Sequence, residues 1–213
     1  MMMNRKRLGR VMAVVAVVLA AFFLLSSVLM GFGTNVSYNL FDLIGGQNQT
    51  QQQDQGPSPQ DAIEEAEKDL KNNPKDPDAI TDLAGVYAQN GQYEDAARVL
   101  EDGRKEVPKD AEIPALLGAV YQQQAAGVEP KEQTELYGKA GDSFAAATER
   151  DPKNEDLFAQ AGQSYDQAGE TAEAIKYYNG YLDLEPEGQD SGAIKERIST
   201  LLEGGEETTS AGS

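Results

Sequence analysis

Residues 77–108 read PDAITDLAGVYAQNGQYEDAARVLEDGRKEVP, and the pattern they set returns twice further along the chain. Ile80-x2-Leu83-Ala84-x2-Tyr87 is followed by Pro114-x2-Leu117-Gly118-x2-Tyr121 and then by Phe158-x2-Ala161-Gly162-x2-Tyr165. Ala96, Ala140 and Ala174 come next in each copy, each with a large apolar residue four positions on, at Leu100, Phe144 and Tyr178. Pro74, Pro108, Pro152 and Pro186 punctuate the copies at intervals of 34, 44 and 34 residues, so the middle copy carries about ten extra. A period of this length marks stacked helical pairs, each burying its apolar face against its neighbours.

Packing explains the residue types. A small residue at Ala84, Gly118 or Gly162 lets one helix approach its partner, and the tyrosine three positions on lies on the same face and fills the next gap. Ala96, Ala140 and Ala174 do the same on the second helix. Each periodic proline then stops that helix, because it has no N–H and its ring clashes with the preceding turn. Asp76, Asp110 and Asn154 are suitable N-caps for the helices that follow. Pro114 stands where a large apolar residue begins the other copies, which predicts a late start for that helix. The extra residues, about Gln124 to Gln133, read as a loop after a short extension of the preceding helix, with Gly127 and Pro130 as the breakers.

These quoted motifs, with their trailing alanine, apolar residue and proline, closely resemble the tetratricopeptide repeat (TPR) over about residues 61 to 186. The resemblance implies an all-α helical solenoid. The chain then divides into a half-repeat at 61–76, repeats at 77–110, 111–154 and 155–188, and a capping helix at 190–203, a domain of 61–203 with a tail at 204–213. Ala62, Ile63, Ala66 and Leu70 give the half-repeat its apolar stripe, and Ala193, Ile194, Ile198, Leu201 and Leu202 give one to the cap. Such caps cover the apolar faces that a solenoid leaves at its two ends. The count is eight helices: one, three pairs, and one.

Charge and composition exclude several classes of function. Arg5, Lys6, Arg7 and Arg10 hold four of the 18 basic residues, which leaves 14 against all 36 acidic ones and a remainder of −22 within a total of −18. A surface so acidic repels the phosphates whose neutralisation drives nucleic-acid binding, so no nucleic-acid partner is expected. The chain has no cysteine and no histidine. Disulfides, Cys/His zinc sites and nucleophile–histidine pairs are thereby ruled out. Ser191 and Lys195 lie one helical turn apart, Asp151 to Asp156 loosely resembles a calcium loop without its glycine and terminal glutamate, and Glu64–Glu65 is an adjacent acid pair. None of these makes a site. The chain is read as a non-enzyme with no catalytic residue, no metal and no cofactor.

From Val11 to Met30 the sequence is apolar and uncharged, broken only by Ser26 and Ser27. Twenty helical residues at ~1.5 Å each span roughly 30 Å, the thickness of a bilayer's hydrocarbon core. Its length exceeds the apolar region of a cleavable signal peptide, which favours a retained transmembrane helix at 11–30. The basic residues of 1–10 then stay in the cytoplasm and the repeats lie outside it. Residues 31–60, rich in Gly, Asn and Gln, read as a disordered tether.

The resemblance also implies a binding surface, because TPR domains line their concave face mainly with the first helix of each pair. Carried over by register, the protein-binding positions are Asp78, Thr81, Gly85, Ala88 and Gln89, then Glu112, Ala115, Ala119, Gln122 and Gln123, then Asp156, Ala159, Gln163, Asp166 and Gln167. This set is small, amide-rich and acidic. TPR domains that grip chaperone C-termini use Lys, Arg and Asn at several such positions, and here none is present. The register tyrosines belong to the core, and Tyr177 is the tyrosine expected nearest the surface. The expected function is a single-pass membrane scaffold of a bacterial envelope that binds another protein or its own copy. The layout resembles single-span TPR accessory factors of secretion and of cytochrome c maturation. The alternative is a periplasmic chaperone-like or assembly factor that holds clients.

Overall fold

Ser58, Asp76 and Asp110 begin three of the helices by different routes to one end, the capture of N–H groups that have no partner inside the helix. Ser58 and Asp61 form a reciprocal capping box: the Asp61 N–H donates to Ser58 Oγ at 3.2 Å and the Ser58 N–H to Asp61 Oδ2 at 3.1 Å. Pro59 sits at the first helical position, where a missing N–H costs nothing. The helix therefore starts two residues earlier than its apolar stripe indicates. Asp76 accepts from the Asp78 N–H at 3.3 Å, with Pro77 again at the first position. Asp110 accepts from the Ile113 N–H at 2.8 Å although Ala111 occupies the N-cap.

The computed structural model describes residues 58–210, with side chains through Glu203. Eight helices make up this region: α1 (Pro59–Asn72), α2 (Pro77–Gln89), α3 (Tyr93–Glu106), α4 (Glu112–Ala125), α5 (Pro130–Thr148), α6 (Glu155–Gln167), α7 (Thr171–Leu184) and α8 (Ser191–Ser210). No strand occurs among the described residues. The expected basic N-terminus, transmembrane helix and nearly all of the tether lie outside the described residues. Among those described, no helix is long and apolar enough to cross a membrane.

Each helix packs on the ones before and after it in sequence, and α2 also touches α4, the next first helix. The result is a solenoid of three pairs with a helix at either end. Its core runs unbroken from Ile80 through Leu100, Leu116 and Phe144 to Tyr181 and Ile194. Burying each large side chain of this kind contributes roughly 1.5–3 kcal/mol. The alanines of the motif, Ala84, Ala96, Ala140 and Ala174, are fully buried. At Gly118 an added Cβ would lie 2.7 Å from the Phe144 ring, and at Gly162 2.6 Å from the Tyr178 ring. The small residue thus seats the aromatic that follows the next alanine by four positions. Gly91 and Gly169, with φ of 74° and 75°, turn the chain between α2 and α3 and between α6 and α7.

Three expectations need correction. Pro114 does not delay its helix, because α4 begins at Glu112 and places the proline third. In the first turn its absent N–H would have been unpartnered anyway. The ten extra residues are mostly not loop. Relative to its neighbours the second pair adds two residues to the end of α4, one to the turn and seven to the start of α5. Pro130 opens α5 instead of breaking a helix, Leu136 is buried and the Gln133 amide donates to the Ala125 carbonyl at 3.0 Å. Finally, α8 does not stop at Glu203 but runs to Ser210 through Gly204 and Gly205. Extending an existing helix requires no new nucleus, so weak helix formers can follow it.

Candidate protein-binding face

The positions carried over by register all lie on α2, α4 and α6, and the structure divides them into three groups. Gly85, Ala88, Ala115, Ala119 and Ala159 are buried; Thr81, Gln122, Asp156, Gln163 and Asp166 are half-buried; Asp78, Gln89, Glu112, Gln123 and Gln167 are exposed. Thr81 turns its hydroxyl inward to donate to the Pro77 carbonyl at 3.0 Å. Gln122 reaches from α4 to α6, donating to Ser164 Oγ at 2.9 Å and Gln160 Oε1 at 3.3 Å. That amide joins neighbouring first helices. Asp166 is likewise engaged, accepting two hydrogen bonds from the Arg197 guanidinium at 2.6 Å each and one from the Tyr178 hydroxyl at 3.2 Å. The cap helix α8 is therefore clipped onto α6 by a forked charge pair, the geometry in which arginine holds a carboxylate best.

The register tyrosines are core residues with a polar tip. Tyr87 donates to Glu67 at 2.7 Å and Tyr165 to Asp142 at 2.8 Å, and Tyr121 donates to Glu101. In every case a first helix bonds to the last helix of the preceding unit, so the link recurs at each junction between units. Sequence reading placed the rings in the core and missed their acids. The spacing of twenty residues between Glu67 and Tyr87, and again between Glu101 and Tyr121, was the available signal. The Tyr87 phenol is pushed up to about 12, first by its bond to Glu67 and then by burial. Burial, then the bonds to Glu101 and Asp142, raise those of Tyr121 and Tyr165.

Tyr177 is half-buried, nearer the surface than Tyr87, Tyr121, Tyr165, Tyr178 and Tyr181, which are all buried. Its ring stacks on Tyr165 at 5.4 Å between centroids, lies 6.3 Å from Phe158, and is covered by the Lys176 ammonium at 4.7 Å. Ser191 and Lys195 do not face each other as a pair of reacting groups. Ser191 donates to the Glu185 carbonyl at 2.5 Å and Lys195 to the Pro186 carbonyl at 2.8 Å, so both fasten the turn before α8.

The acids on the first helices are Asp78 and Asp82 on α2, Glu112 on α4, and Glu155, Asp156 and Asp166 on α6. Burial raises the carboxyl of Asp82, and Asp78, Asp69 and Asp76 raise it further. Burial also raises that of Glu112, followed by Asp110, Asp78 and Asp82. Neighbouring carboxylates thus add to burial in raising both Asp82 and Glu112. Asp82 was absent from the transferred set, because the family register does not assign it to the groove.

Residues 58–120 match the family model of the tetratricopeptide repeat. Among solved structures, a crystal structure of MamA is 21% identical with a TM-score of 0.51, covering 71% of this chain and 91% of its own. The MamA RS-1 ArsTM double mutant is 21% identical with a TM-score of 0.51, covering 68% of this chain and 80% of its own. No curated protein matches the sequence. The helical pairs and these likenesses agree that the described region has the fold of a TPR-like helical solenoid, with the family match itself confined to residues 58–120.

Proposed function

We propose that this chain is a membrane-anchored TPR scaffold whose repeats lie outside the cytoplasm and hold a segment of another protein on the face of α2, α4 and α6. One observation carries the reading. That face keeps Asp78, Gln89, Glu112, Gln123 and Gln167 exposed among the buried small residues Gly85, Ala115, Ala119 and Ala159, so a ligand backbone can approach closely between polar side chains. The anchor rests on the apolar run Val11–Met30 and the orientation on the basic residues before it. A flexible tether of thirty residues has an r.m.s. reach of about 30 Å, which would keep the repeats at high effective concentration near membrane partners. Modest affinity then suffices.

Photo-crosslinkers at Gln89 and Gln123 of the full chain, in its native membrane, test this against a control at Lys176 on α7. One defined partner should be captured from the first-helix positions alone and lost in Gln163→Arg with helicity unchanged. Equal capture from Lys176, or capture untouched by Gln163→Arg, would defeat the assignment.

A further inference from the structure

Independently of the groove, we infer that copies of this chain stack head to tail, with α8 of one copy and α1 of the next forming one complete helical pair. The sequence of α8 repeats that of α6 at a shift of 37 residues. Ile194, Ile198, Ser199, Leu201 and Leu202 stand where α6 carries Leu157, Ala161, Gly162, Ser164 and Tyr165. The packing follows the same register. Gln122 of α4 donates to Gln160 of α6 at 3.3 Å, and at the same two positions one repeat later Asp166 of α6 accepts from Arg197 of α8 at 2.6 Å. Thus α8 sits on α6 as a fourth first helix, and among the described residues no second helix follows it.

The surface that a second helix would cover is open. Tyr87, Tyr121 and Tyr165 are buried, whereas Leu202 at their position is 55% exposed, and Ser199, at the position of Gly118 and Gly162, is exposed as well. An end cap turns a polar outer face to solvent, and Leu202 spoils that face. At the other end α1 is a second helix without a first. Ala62 and Ala66 occupy the positions of Ala96 and Leu100, which are fully buried, yet are themselves only half-buried. Val86 of α2 is also half-buried where Val120 and Ser164 are fully buried. What α8 lacks is a second helix, and the unmatched second helix of the described region is α1. Within one molecule they lie at opposite ends with three pairs between them, so a second copy is what brings them together. Ala66 of the next copy then lies over Ser199 as the Phe144 ring lies over Gly118. The contact joins unlike surfaces, so repetition builds an open row or a ring. The same register sets Glu203 against Asp82 of the next copy, where Gln122 meets Gln160, and this like-charge pair weakens the join.

The chain has no cysteine, so engineered thiols report the contact without background. Full chains carrying Ser199→Cys and differently tagged full chains carrying Ala66→Cys are mixed in lipid vesicles and treated with a short thiol-to-thiol crosslinker. Mixed-tag dimers should form, and Lys176→Cys in place of Ser199→Cys should give none. Adding Leu202→Arg, at a site exposed in the single copy, should cut the yield at least tenfold, because the charge would be buried without a partner. Glu203→Gln should instead raise association by up to about fivefold, the worth of one exposed charge pair. Mixed dimers no more abundant than with Lys176→Cys would overturn the inference, as would crosslinking of Ser199→Cys chains to one another, which signifies α8 against α8. Indifference to Leu202→Arg, or weaker association in Glu203→Gln, would refute the register. None of these variants alters the exposed groove residues, so their failure leaves the scaffold reading standing.

Discussion

Gly118 is the position where the packing argument can be tested with a single methyl group. A Cβ built there would sit 2.7, 2.8 and 2.9 Å from Cε2, Cδ2 and Cζ of Phe144, a ring only 2% exposed and with nowhere to move. Gly118→Ala removes a helix-interior glycine, which by itself stabilises by about 1 kcal/mol. Overpacking against a confined ring costs ~1–3 kcal/mol. The balance is a net loss of about 1 kcal/mol, opposite in sign to what helix propensity alone gives. Phe144→Leu removes the clashing ring atoms, so in that background the same Gly118→Ala change should stabilise, with a coupling of about 2 kcal/mol between the two sites. Urea unfolding followed by circular dichroism, on all four members of the cycle, reads both signs. Because repeat arrays can unfold in stages, the comparison is made on the transition that includes α4 and α5. If Gly118→Ala raised stability with Phe144 intact, the close approach of α4 to α5 described above would be wrong.

Two other expectations follow from the packing and from the phenol bonds. Leu136 is 4% exposed on the helical extension of α5; Leu136→Ala should therefore cost about 2–5 kcal/mol in the same denaturation assay, and a change under about 0.5 would show the extension to be unpacked surface. The folded state holds the protons of Tyr87, Tyr121 and Tyr165 beyond the ordinary phenol value of 10.0. Stability from these groups is full below about pH 10 and declines as pH rises from there through the raised values. Thermal unfolding across pH 9 to 12 should show that decline, and the triple Tyr→Phe variant should flatten it; identical slopes would argue against the Tyr–acid links.

Much of the fold was legible because its periodicity is a packing rule written in residue size. Ala84, Gly118 and Gly162 recur because two helices meet there, and their partners Leu100, Phe144 and Tyr178 recur with them. The prolines closed the second helices as read, with α1, α3 and α7 each ending two residues before its proline and α5 four before. Reading stumbled where one residue type serves two purposes. Pro114 and Pro130 are breakers in mid-helix and neutral in a first turn, and only the position of the first turn decides between them. The ten extra residues looked like a loop because Gly127 and Pro130 stand together. They became mostly helix because Leu136 and Ala125 had core to enter.

The candidate face divides the same way. Register alone placed fifteen residues on three helices, and all fifteen do lie on α2, α4 and α6. It did not tell which of them are engaged within the chain. Gln122 is committed to Ser164, Asp166 to Arg197, and Thr81 to its own helix, whereas Gln89, Gln123 and Gln167 are exposed.

By itself the sequence determined that helical pairs stack at a period of 34 residues and which small residues sit where they touch, since burial repeats with the chain and leaves its mark at fixed spacing. It also held the absence of Lys and Arg from α2, α4 and α6, readable once helix limits are known. The tertiary structure alone decided which acids meet which tyrosines and that Arg197 reaches back to Asp166. Those pairings depend on how far long side chains extend across helix crossings, a distance in space that no interval along the chain fixes.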